Sequence, residues 1–218
     1  VSSHELRTPL TAMRTNLELV RGFDLPPNEQ KERLGIVLEE IGRLAETVKG
    51  MLEFAQPVAD TLYPVSLTYL VQRARLLTDT QVQKSRIQVT TDLPDDLPIV
   101  LVSPNQMIEV LLNLIINAVD AMPDGGLLHI AARAVEGAVE LAVTDDGPAL
   151  SAEQLERVFE PFFTTKIDGT GLGLAISHSI LQRHGGTLSA ENITEDRGVT
   201  FTARLPLASF AASQEVAG

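Results

Sequence analysis

Ser3-His4-Glu5-Leu6-Arg7-Thr8-Pro9-Leu10-Thr11-Ala12-Met13-Arg14-Thr15-Asn16-Leu17-Glu18-Leu19-Val20 is the stretch from which the fold is first read. Its apolar residues fall at Leu6, Leu10, Met13, Leu17 and Val20, spaced 4, 3, 4 and 3. A second series keeps that alternation at Leu34, Val37, Ile41, Leu44, Val48, Met51 and Ala55. Both are heptad seams, the pattern of helices packed at a shallow angle. Between them, Gly22 to Asn28 contains Pro26 and Pro27, which stop one helix. Asn28 is expected to cap the next. The product is an antiparallel helical hairpin. One narrow seam per helix buries little, so two copies forming a four-helix bundle are the natural completion.

Outside the hairpin, composition excludes several function classes. The chain has 218 residues, with 17 Lys plus Arg against 29 Asp plus Glu, a net charge of −12. Residues 1 to 57 hold nine acids and seven bases, and the remainder holds twenty and ten. No basic surface dominates, so binding to nucleic acid is not expected. There is no cysteine, hence no disulfide framework and no thiolate metal or redox chemistry. No apolar run approaches the length needed to cross a membrane. The first residue is Val1 and no secretory leader follows it. The expectation is a cytoplasmic fragment of a longer protein, with no membrane contact of its own. Whether missing upstream segments anchor the parent in the inner membrane stays open.

Beyond Gln56-Pro57 the periodicity becomes mixed. Arg86 to Thr91 and Pro98 to Val102 read as strands, and Pro104 to Met122 as a helix capped by Ser103. Leu127 to Ala134 and Ala138 to Thr144 read as a hairpin turning at Glu136-Gly137. Leu172 to His184 reads as a helix closed by Gly185-Gly186. Thr187 to Asn192 and Val199 to Leu205 complete a strand pair. The expected class is α+β. Residues 1–57 form the hairpin, 58–63 a linker, 64–207 an α/β sandwich and 208–218 a frayed tail.

Four segments carry candidate chemistry. His4 lies two positions before the seam residue Leu6, about 200° around a helix, and so faces solvent. Glu5 beside it can take a proton from one ring nitrogen and leave the other free to attack. Pro9 removes the hydrogen bond to the Glu5 carbonyl and is expected to kink the helix. Asn113 and Asn117 are four apart, on one face of an apolar helix. Their oxygens are hard donors suited to Mg²⁺, an ion that usually arrives with phosphates. Asp145-Asp146-Gly147 follows an apolar strand. A carboxylate at that strand end can accept a hydrogen bond from an exocyclic amine, and Gly147 lets backbone come close. Finally, Gly169-Thr170-Gly171-Leu172-Gly173 runs into a helix whose first N–H groups can face an anion. Phe159, Phe162 and Phe163 precede it as anchors of a loop from which Lys166 can reach phosphate. His129, His178 and His184 show no metal-ligand spacing and read as surface or packing residues.

The order of these segments is informative. SHELRTPL, NLIINA, DDGPAL, FEPFFTTK and GTGLGL closely resemble, in that order, the catalytic core of bacterial two-component sensor histidine kinases, over about residues 1 to 207. The resemblance implies a homodimeric phosphotransfer hairpin and an ATP-binding domain of the GHKL (Bergerat) type. It implies His4 as phosphoacceptor, Glu5 as its base and Thr8 as a residue serving dephosphorylation of a response-regulator partner. Asn113 and Asn117 match the asparagine box, with Asn117 the Mg²⁺ ligand. Asp145 matches the adenine-reading aspartate, and Gly169, Gly171 and Gly173 match the glycines of the ATP lid. Two residues depart from the family pattern. Ala149 replaces a glycine, and Ser103 stands where an acid is common. Other readings are an ATP-driven clamp of the GHKL class and a non-catalytic dimeric scaffold, which Ala149 alone favours.

Overall fold

The computed structural model describes residues 3–55, 61–166 and 169–207; the side chains of residues 3–8, 43, 46, 47 and 49–55 are outside that description. The chain divides into two compact units, 1–57 and 58–218. Residues 58–60 of the expected linker and the tail 208–218 lie outside the described residues.

In the first unit, α1 (Ser3–Gly22) and α2 (Pro27–Ala55) form the hairpin. α1 runs through Pro9 as one helix. Pro27, not the expected Asn28 region, opens α2: the Gln30 N–H donates to the Pro26 carbonyl at 3.0 Å. A proline at the first helical position gives up an N–H that would have no helical partner anyway. The Gln30 amide also donates to the Leu25 carbonyl at 2.8 Å, which closes the turn. Val37 is the one buried apolar residue among those described in this unit. Leu10, Leu17, Leu34, Ile41 and Val48 stay exposed. The two seams therefore leave apolar surface that the hairpin does not cover.

The second unit is a two-layer sandwich. Its strands are β1 (Tyr63–Val65), β2 (Ile87–Asp92), β3 (Val100–Val102), β4 (Gly126–Val135), β5 (Ala138–Pro148), β6 (Thr187–Asn192) and β7 (Arg197–Pro206). Its helices are α3 (Leu67–Lys84), α4 (Pro104–Ala121), α5 (Ala152–Arg157) and α6 (Gly173–Arg183). Five strands make one sheet in the order β2-β4-β5-β7-β6, and β1 pairs with β3 apart from it. The β2–β4 pair is parallel and the other pairs of this sheet are antiparallel. Inward residues alternate as a half-buried sheet requires: Val139, Leu141 and Val143 on β5 meet Leu128 and Ile130 on β4 and Phe201, Ala203 and Leu205 on β7 in one core. Met107, Val110, Leu111, Leu114, Ile115 and Ala118 of α4 close that core from above, at helical spacing.

Two elements differ from expectation. The sequence reading leaves residues 67–84 unassigned, yet they form α3, and residues 152–157 form α5. β5 also continues through Asp145, Asp146 and Gly147 to Pro148, with its pairing to β7 shifting between Asp145 and Pro148. Such an irregularity re-aims residues at a strand end. Ser103 caps α4 as expected, with its hydroxyl accepting from the Gln106 N–H at 3.4 Å.

Candidate nucleotide site

Asp145 continues the inward series of β5, so a carboxylate falls where the alternation calls for an aliphatic side chain. It is only 4% exposed. Burial pushes its pKa above the usual carboxylate range, against backbone N–H groups of Gly147 and Val199 that pull it down. The Gly147 N–H donates to Asp145 Oδ1 at 3.0 Å. A Cβ on Gly147 would lie 3.0 Å from that oxygen and 3.2 Å from Ala121 at the end of α4. Glycine there lets the end of β5 and the end of α4 close around the carboxylate. The neighbouring Asp146 has a different task. It accepts from the Leu127 N–H at 2.7 Å and from Arg197 at 2.6 Å, and the Leu127 bond leads in holding its pKa down. Asp146 thus fastens β4 and β7 while Asp145 is left facing inward.

α4 carries the second group. Asn113 and Asn117 flank its buried stripe on one side. The Asn113 amide donates to the Gly173 carbonyl at 3.1 Å and to Ser177 Oγ at 3.2 Å. The amide therefore ties α4 to the first turn of α6. Asn117 Oδ1 accepts from the Lys166 ammonium at 2.7 Å, and the same ammonium lies 2.7 Å from Asp120 Oδ2. Asp120, three residues from Asn117, was not singled out in the sequence, although i, i+3 spacing places the two side by side. A lysine held by two oxygens is a stand-in cation, and hard oxygen donors fit Mg²⁺.

The loop before α6 supplies the third. Gly171 has φ +64, and a Cβ there would fall on the backbone of Phe162. The Phe162 N–H donates to the Gly171 carbonyl at 2.8 Å, and Phe162 itself sits at φ 71. A non-glycine residue in that region is strained and persists only where its surroundings hold it. A Cβ on Gly169 would press on Thr164 Oγ1, whereas one on Gly173 would make ordinary contact with Asn113. Thr170 Oγ1 accepts from the Leu172 N–H at 3.4 Å, and the buried Leu172 precedes α6 with no side-chain cap. The first N–H groups of α6 thus remain available to an anion. Phe159 stacks on His178 with ring centroids 5.2 Å apart, and Arg157 lies 4.5 Å over the Phe163 ring. These contacts anchor the loop as the three phenylalanines suggested.

Ala149 does not take a positive φ, and its N–H donates to the Asp196 carbonyl at 3.4 Å. The Cβ of Ala149 is therefore not a source of backbone strain. His184 Nε2 accepts from the buried Ser103 N–H at 3.0 Å, and Nδ1 meets the Ile180 carbonyl at 2.8 Å. This histidine joins the end of α6 to the start of α4, the packing role that was one of the two expected for it. His4, Glu5 and Thr8 lie on the backbone of α1, and their side chains are outside the described residues.

One chain of contacts gathers these groups: Asp145 through Gly147 to Ala121, then Asn117 with Lys166, and Asn113 with Gly173. A buried carboxylate, hard oxygen donors and an uncapped helix start are groups suited to hold a nucleotide, and a helical hairpin precedes them in the chain. Residues 1–59 match the His Kinase A (phospho-acceptor) domain, and residues 102–209 match the family described as histidine kinase-, DNA gyrase B-, and HSP90-like ATPase. The sensor histidine kinase ZraS of Escherichia coli (strain K12) is 33% identical over 205 residues, covering 94% of this chain and 44% of that protein. The structure of histidine kinase ThkA in complex with response regulator protein TrrA aligns with TM-score 0.78 at 28% identity, over 94% of this chain and 59% of that one. Full-length ShkA in complex with AMPPNP aligns with TM-score 0.71 at 27% identity, over 94% and 44%. The chain belongs to the sensor histidine kinases and has the catalytic core of a protein-histidine kinase. It spans less than half the length of curated relatives such as ZraS. No helix among the described residues is long and apolar enough to cross a membrane.

Proposed function

We propose that this core transfers the γ-phosphoryl group of ATP to His4 and then to an aspartate of a response-regulator receiver domain. The observation that carries the reading is the convergence of Asp145, Asn117 and the start of α6 at one end of the sandwich, in a chain that also carries His4 on a heptad helix. ShkA was solved with AMPPNP and ThkA with a response regulator, which supports both partners. Asp145 accepts the adenine amine. Asn113 holds the start of α6 in place, and Gly169 to Gly173 receive the phosphates on backbone N–H groups, with Lys166 adding positive charge. Asn117 is the protein oxygen that would hold Mg²⁺, which neutralises phosphate charge when bound. An imidazole nitrogen of His4 attacks the γ-phosphorus in line. The bond to the β-phosphate oxygen breaks, ADP leaves, and Glu5 takes the ring proton. Catalysis is then mostly positioning and charge neutralisation.

Two copies joined through the hairpin form the working unit. Thr8, one turn after His4, positions a water for dephosphorylation of the regulator. Incubation with γ-labelled ATP tests the central step. Label should appear as acid-labile, base-stable phosphate and vanish in His4→Gln, while nucleotide binding survives. Acid-labile phosphate persisting in His4→Gln would sink the assignment.

A further inference from the structure

We propose that Asn117 and Asp120 together form a divalent-cation seat, and that Lys166 fills it from the lid loop until the metal displaces it. The inference deepens the nucleotide-site reading, on which it rests. The Lys166 ammonium lies 2.7 Å from Asn117 Oδ1 and 2.7 Å from Asp120 Oδ2. These oxygens belong to different residues of α4, and they converge on one cation from a loop more than forty residues away. Asp120 lies outside the segment Asn113 to Ala118 and adds a full negative charge beside a neutral amide. Divalent cations of this size favour such carboxylate and amide oxygens, completed by water and phosphate.

The exposures fit displacement. The Lys166 and Asp120 side chains are 37% and 46% exposed, so their pairing is screened and weak. A dication carries twice the charge and can replace the ammonium without unfolding anything. The lid is also tied to this contact. The Lys166 N–H donates to Thr164 Oγ1 at 3.1 Å, and the Lys166 carbonyl accepts from the Gly169 N–H at 3.4 Å. Metal arrival would release one lid contact and free an ammonium for the phosphates. The seat is then held by the protein's own cation until the ion that accompanies the ligand replaces it.

A competing internal cation lowers apparent metal affinity by the fraction of time it occupies the seat. The test is Mn²⁺ binding to the full chain, without nucleotide, read from loss of the free-ion signal in electron paramagnetic resonance. Lys166→Met should bind Mn²⁺ about fivefold more tightly than the parent chain, as expected for losing one weak competing pair. Lys166→Arg should restore the competition. Asp120→Asn should weaken Mn²⁺ in the Lys166→Met background. Equal Mn²⁺ affinity, within a factor of two, in Lys166→Met and the parent chain would overturn the proposal. So would an Asp120→Asn change without effect in the Lys166→Met background. ADP binding in EDTA is measured in parallel. Its absence would count against the nucleotide reading while leaving the metal result to decide the role of Lys166.

Discussion

Asp145 shows what one residue can disclose. Three aliphatic residues at period two, Val139, Leu141 and Val143, predict a fourth, and the chain places a carboxylate there instead. Its burial raises its pKa, so the ionised form is a cost to the nucleotide-free protein above that raised value. The folded state binds the proton more tightly than the unfolded chain, so stability falls as pH rises from the ordinary carboxylate range through the raised pKa. Asp145→Asn should therefore keep or raise the melting temperature at neutral pH. It should also weaken adenine nucleotides about tenfold or more, with or without metal, because a charge-assisted hydrogen bond is lost. In the parent chain, affinity should drop on acidification at a pH where ordinary carboxylates are still ionised. Calorimetry across pH checks both signs. A second residue-scale prediction concerns Thr8. Thr8→Ala should keep autophosphorylation and lose most regulator dephosphorylation, measured on purified protein with its cognate regulator. Equal loss of both would indicate distortion of α1. The place of Asp145 at the end of an apolar strand was legible, though its inward alternation within β5 was not. Asp120 was not, because its meaning lies in a contact with Lys166, 46 positions away.

At the scale of elements, strong periodicity was legible and interrupted periodicity was not. The hairpin helices, α4 and the β4–β5 hairpin follow directly from their spacing. α3 escaped because its buried positions Leu67, Leu70, Val71, Ala74, Thr78 and Val82 are confused by Leu76 and Leu77, which stay exposed. Leu76 lies opposite the buried stripe and Leu77 at its rim, which widens the apolar pattern until no single stripe stands out. The length of β5 was missed for another reason. Asp-Asp-Gly-Pro is turn chemistry locally, and only pairing with β7 makes it strand. The lid glycines separate in the same way. All three fit one motif, but only Gly171 has a backbone that demands glycine. Gly171→Ala should cost about 1–3 kcal/mol of strain locally and disorganise the Phe162–Gly171 contact. Nucleotide affinity should fall, and protease cutting near Phe163 should increase. Gly173→Ala should leave the melting temperature unchanged, since its Cβ would meet only ordinary contacts. Equal melting losses in both variants would show that the lid conformation is not what selects Gly171.

At the scale of the whole molecule, the two units stand in opposite relations to their own cores. The described residues of the second unit close a continuous apolar interior, from Val65 to Leu207. The hairpin does not: Leu10, Leu17, Leu34, Ile41 and Val48 remain open along both heptad seams. A two-helix unit with its seams in water gains too little burial to offset its chain entropy. Its folding should therefore depend on a second hairpin, and so on protein concentration. A fragment beginning at Asp60 removes the hairpin and should sediment as a monomer that still binds ATP. Its melting temperature should not change with dilution. The full chain should sediment as a dimer, with a hairpin transition that moves to lower temperature on dilution. Leu17→Asp would place a charge in the shared seam, and an unpaired buried charge costs several kcal/mol, about 3–5 in measured cases. That variant should sediment as a monomer while ATP affinity, which belongs to the other unit, stays within about twofold of the parent. A fragment from Asp60 that dimerises, or a Leu17→Asp chain that still does, would show that the exposed seams are not the dimer interface.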